Sequence, residues 1–141
     1  MVTIQDFFGG SKRRAAVQLL DRSLDTFGVN PAYVDDGMRF AIYRWAQEAA
    51  AGTVSESGVM DALMRRAAEL ISFCVLGPGE TEAAWGPGVR REREARFDAV
   101  LANGDEESFD AKLIKLVLAK EIAAPDIQAR VSLEDSESEK S

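Results

Sequence analysis

At 141 residues, 46% hydrophobic and 29% charged, the chain has the length and make-up of one globular domain with a sizeable core. A net charge of −7 sets its mean field against nucleic acid and acidic membrane surfaces. The lone cysteine excludes an internal disulfide, and the lack of any histidine removes the usual base for a Ser or Cys nucleophile and the commonest metal ligand.

No enzyme activity, cofactor or metal site is therefore expected. The opening MVTIQDFFGGSKRR has neither the basic start nor the apolar centre of a signal peptide. No apolar run approaches the ~20 residues of a membrane span. The expectation is a soluble, cytoplasmic protein with no membrane partner.

Residues 1–10 read as an N-terminal arm. Ile4, Phe7 and Phe8 form an apolar cluster ahead of the flexible pair Gly9-Gly10. Such a cluster either folds back on the core or docks on a partner. Ser11 is placed to cap a first helix over Lys12 to Phe27, closed by Gly28, with Val17, Leu20, Leu24 and Phe27 on its apolar stripe. Lys12, Arg13 and Arg14 fall in its first turn and read as a solvated basic turn, or else as a contact for phosphate or an acidic partner. Asn30-Pro31 signals the start of a second helix running to about Ala51. Val34, Met38, Ala41, Ile42, Trp45 and Ala49 form its core stripe, with Phe40 and Tyr43 beside it.

The longest strongly apolar segment is Ser57–Leu76. Leu63, Ala67, Leu70 and Cys74 recur at helical spacing beside Met60, Met64 and Ile71, and Phe73 to Leu76 has no polar side. A helix apolar nearly all round is a buried one, so this is the expected central helix. Cys74 lies on its apolar face and reads as an inert core thiol. Gly77 and Pro78 should end it. Two Gly-Pro-Gly units, 77–79 and 86–88, then bracket a two-turn helix over Glu80 to Trp85, with Trp85 either plugging the corner or offered to a partner.

Pro87 opens a helix to Ala102, closed by Asn103-Gly104. Its first half is charged on every side and should be only partly docked; Arg90, Arg91, Arg93 and Arg96 make the densest basic cluster in the chain. Asp105 is positioned to cap a last long helix over Glu106 to about Ala123, and Pro125 to open a short one over Asp126 to Val131. Leu118 to Val131 has the outline of a helix-turn-helix. Ala123 stands where glycine is usual, however, and few basic residues follow. Residues 132–141, SLEDSESEKS, read as a disordered acidic tail.

The whole predicts an all-α fold. Residues 11–131 form a single helical bundle of about five main helices around the helix at 57–76. The expected function is that of a non-catalytic protein-binding adaptor or assembly factor, acting on another protein or on itself. Phe7, Phe8, Trp85, Arg90, Arg91, Arg93 and Arg96 are the candidate contacts. In length, acidity, helix content and polar tail the chain is similar to small phage and prophage assembly factors such as tail assembly chaperones. That resemblance is compositional and implies the same kind of role. The alternative is a helical nucleic-acid-binding regulator using Lys12–Arg14, Arg65-Arg66 and Arg90–Arg96.

Overall fold

The computed structural model describes the backbone of residues 4–140 and the side chains of residues 10–133. The described residues form helices joined by short connections, with no strand: α1 (Ile4–Thr26), a 3-10 turn (Pro31–Tyr33), α2 (Asp36–Ala50), α3 (Glu56–Trp85), α4 (Pro87–Asn103), α5 (Phe109–Ala119) and α6 (Pro125–Lys140). None of these helices is long and apolar enough to cross a membrane. The chain divides into two compact units, residues 1–69 and 70–141.

In the first unit α1 closes at Gly28, as the sequence predicts. Val29 N–H donates to the Leu24 carbonyl at 2.9 Å and Gly28 N–H to that of Asp25 at 3.1 Å, with Gly28 at φ +84°. This is a Schellman closure, and its apolar partners Leu24 and Val29 are both buried. The other end of α1 differs from expectation. The helix begins at Ile4, so Gly9-Gly10 lie inside it and Ser11 caps nothing. Extending an existing helix through glycine requires no new nucleus, which offsets their poor propensity.

Asn30-Pro31 starts only the 3-10 turn, where the Asn30 carboxamide accepts from Ala32 N–H. The true cap of α2 is Asp35, whose Oδ1 accepts from Met38 N–H at 2.8 Å. The buried positions of α2 are Met38, Ile42, Tyr43, Ala46 and Ala50. Trp45 is half-buried, while Phe40 and Ala49 face out. Helix α1 lies against both the 3-10 turn and α2. Ser55 then opens α3, its Oγ accepting from Gly58 N–H.

The second unit is built on two glycine–proline corners. Gly77 interrupts α3 at φ +82°, ψ +169°, and Gly86 separates α3 from α4 at φ +95°, ψ +169°. Each precedes a proline, which pushes its neighbour to extended ψ, and the positive φ restricts both positions to glycine. The expected helix end at Gly77 and the second short helix are thus present.

In an unbroken helix the Cys74 carbonyl would accept from residue 78, but Pro78 has no N–H. Ala124 N–H donates to that carbonyl instead, at 2.8 Å. The Gly77 carbonyl accepts from the buried Thr81 hydroxyl at 2.7 Å. Ala124 in turn caps α6, its carbonyl accepting from Ile127 and Gln128 N–H. Residues 70–74 are buried in succession, and the Phe73 ring tilts against that of Phe97 on α4 at 5.6 Å between centroids.

Helix α5 starts later than predicted. Asp105 Oδ1 accepts from Glu107 N–H in a local turn, and Ser108 is the cap, bonding Ala111 N–H. The helix also ends earlier, at a closure around Glu121, a non-glycine residue at φ +58°. Helix α6 runs to Lys140, well beyond Val131, so the stretch expected as a disordered tail is continuous with it to that residue. Glu and Lys are good helix formers, and an amphipathic pattern is not needed to extend a helix already seated by buried Ile127.

The two corners separate backbone strain from crowding. A Cβ at Gly77 would come within 2.9 Å of Asp126 Oδ1 and 3.2 Å of Ala124 Cβ, whereas one at Gly86 meets nothing within 4 Å. Gly86→Ala should cost about 1–3 kcal/mol from φ alone. Gly77→Ala should cost at least about 1 kcal/mol more, from overpacking. Urea unfolding of both variants measures the difference.

Candidate partner-binding site

The arginine cluster predicted on α4 is present, but most of it is used inside the second unit. Arg90 Nη1 bonds Glu82 Oε2, and its Nε lies 3.9 Å from Glu94 Oε1. The Glu82 bond, above all, holds the Arg90 guanidinium more firmly protonated than usual. Glu94 also receives Arg130 Nη2 at 3.1 Å, and Arg130 Nη1 reaches Asp98 at 3.2 Å. The Arg93 guanidinium stands 4.7 Å from the centre of the Trp85 ring, a cation–π pair.

Trp85, Arg93 and Arg96 are half-buried, and Arg91 faces solvent. The first half of α4 is thus partly docked, tied to the end of α3 and to α6 while Arg91 and Glu92 stay exposed. Arg130, which locks α6 to α4, went unnoticed in the sequence because its partners lie over thirty positions away. Arg130 is the one basic side chain of α6 among the described residues, and it is engaged by Glu94 and Asp98. The side chains of Phe7 and Phe8, the remaining candidates, lie outside the described residues.

A different constellation stands open on the first unit. Arg13, Arg14, Val17 and Gln18 of α1 and Asp36, Arg39 and Phe40 of α2 line a groove of about 460 Å³. Arg39 forms its fixed floor. Its Nε donates to Asp21 Oδ1 at 3.0 Å, its Nη2 to the Pro31 carbonyl at 2.8 Å, and its Nη1 approaches Asp36 Oδ1 at 3.4 Å. One arginine thus joins α1, the 3-10 turn and α2, and its side chain is only 16% exposed.

Arg13 and Arg14 are different. Both are exposed, and among the described residues neither makes an ion pair. The Arg13 guanidinium hangs 6.0 Å from the Phe40 ring centre, and Phe40 remains 51% exposed. The sequence marks Arg13 and Arg14 as a basic turn and Phe40 as a flank of the core stripe. It carries no sign that the two meet.

A second hollow, of about 370 Å³, lies in the second unit between the end of α4, α5 and α6, with Ile114, Leu118 and Val131 among its apolar walls. Lys115 and Glu106 on its rim pair at 3.2 Å. Among the described residues no group of His, Cys, Asp or Glu is arranged to hold a metal ion. Comparison with protein-family models, curated proteins and solved structures finds no match for the chain.

Cys74 is buried, as its position on the apolar face predicts, and desolvation pushes its thiol up from 9.0 to about 12. Alkylation of the native chain by iodoacetamide at pH 8 should be slow and become fast only in denaturant. The folded form holds this proton longer than the unfolded form. The group should therefore leave stability unchanged below about pH 9 and lower it as pH rises toward 12, a loss absent from Cys74→Ala.

Proposed function

We propose that the chain is a non-catalytic protein-binding adaptor or assembly factor, and that the α1–α2 groove is where its partner docks. The observation that carries this reading is Phe40. It is a large aromatic side chain half open to solvent, edged by exposed Arg13 and Arg14 and set beside an immobilised Arg39. Aromatic and arginine side chains are those most often found at the energetic centre of protein interfaces. A rigid floor also reduces the ordering cost of association. The α4 cluster, whose charges are largely satisfied within its own unit, becomes a scaffold element in this reading. The compositional similarity to small phage and prophage assembly factors fits the same role, exercised in the cytoplasm.

Capture from the native host lysate tests it. Wild-type tagged protein should retain a partner that survives nuclease treatment. Phe40→Ala should reduce recovery by about tenfold or more, the scale of a hot-spot truncation, with helical circular dichroism unchanged. Equal recovery by Phe40→Ala would remove the groove from the function.

A further inference from the structure

Resting on the docking reading above, we propose that the groove takes an acidic protein segment bearing an exposed apolar side chain. The charge on its lining decides the sign of the partner. Three arginines face one aspartate there. Arg39 is met by Asp21 and, on its open side, by Asp36, so among the described residues the cations left without an ion pair are Arg13 and Arg14, and the three arginines still outnumber the two aspartates. On a chain of net charge −7 this is a local reversal of the field.

The amount of charge decides between acidic protein and nucleic acid. Strong backbone binding of nucleic acid is a sum over many phosphates, on the order of 6–10 for a protein whose affinity depends steeply on salt. Two open guanidinium groups fall far short of that, and the surrounding field opposes the rest. Two guanidinium forks do suit one or two carboxylates, each able to accept both bonds of a fork. The remaining surface is mostly apolar: the Phe40 ring, Val17 and the methylene stems of the arginines, with Gln18 beside them. A volume of about 460 Å³ lies within the ~300–1,000 Å³ of common ligand sites.

The layout also sets the partner's orientation. Asp36 is fully exposed on the α2 side, one helical turn before Phe40, and repels a carboxylate there. The acidic residues therefore lie over Arg13 and Arg14 on α1, and the apolar anchor lies against Phe40 on α2.

Fluorescence anisotropy on the full chain tests this, using a fluorescein-labelled peptide of Glu and Ser with a central Leu-Phe pair. Control probes are its Leu-Phe to Ser-Ser form, its Glu to Lys form and a thymidine oligonucleotide. The acidic Leu-Phe peptide should bind at least about tenfold more tightly than either peptide control. Arg13→Glu with Arg14→Glu should reverse the preference toward the Lys form, while Phe40→Ala should abolish the advantage of Leu-Phe over Ser-Ser.

Arg13 and Arg14 are exposed, so their reversal should leave the thermal transition in place even if Phe40→Ala lowers it. Absence of binding, or equal binding by the reversed variant, overturns the acidic-segment proposal. So does an oligonucleotide that binds more tightly than the peptide and is lost in that variant. In the first two cases a Phe40-dependent lysate partner would keep the docking reading alive. Loss of that dependence would end both.

Discussion

The second unit depends on a hydrogen bond that proline withholds. Pro78 leaves the Cys74 carbonyl without its intrahelical donor at a point where Cys74 itself is buried. An unsatisfied carbonyl there would cost on the order of 1–3 kcal/mol. Ala124 supplies the donor, and because Ala124 also caps α6, satisfying the carbonyl fixes where the last helix begins. Gly77 makes the arrangement possible twice over: only glycine takes its φ and ψ, and only the absence of a Cβ admits Ala124 and Asp126 so closely. One local defect in a helix thus becomes a long-range tether. Ile127, three residues past the tether, is fully buried and completes the attachment by packing.

The charged lattice on α4 works on this frame and does not create it. Its pairs are partly solvent-accessible, and screening by water leaves such pairs a small net effect on stability. Their larger effect is on availability. An arginine engaged by two carboxylates offers little to a partner, because binding must first replace what it already has. Arg90 and Arg130 are in that state. Arginine density along a sequence is therefore a poor guide to arginine function when acids are interleaved at helical spacing.

The fold class was legible because its signals are local. Gly28, Gly104, the two Gly-Pro pairs and the apolar run before Gly77 each state their meaning within a few residues, and the burial of Cys74 follows from its neighbours. The errors arose where two local signals compete. Asn30 and Asp35 are both good caps, and so are Asp105 and Ser108; in each case the first governs a turn and the second the helix. The closure at Glu121 carries no glycine to announce it. The stripe expected on α2 is right at Val34, Met38 and Ile42 and shifts at its far end because alanine is uninformative: Ala46 and Ala50 are buried while Ala49 is not.

The groove on the first unit was illegible for a different reason. Its two halves are about one helix and a turn apart in sequence, and each has an ordinary explanation alone: a basic first turn, and an aromatic beside a core stripe. What gives them joint meaning is the fate of Arg39. By spending its hydrogen bonds on Asp21, Asp36 and Pro31, it holds α1 and α2 in the register that puts Phe40 beside Arg13. The same engagement removes its own charge from competition and leaves Arg13 and Arg14, among the described residues lining the groove, without an ion pair. Which arginines stay open in this unit is thus decided by tertiary pairing, which the sequence alone does not display.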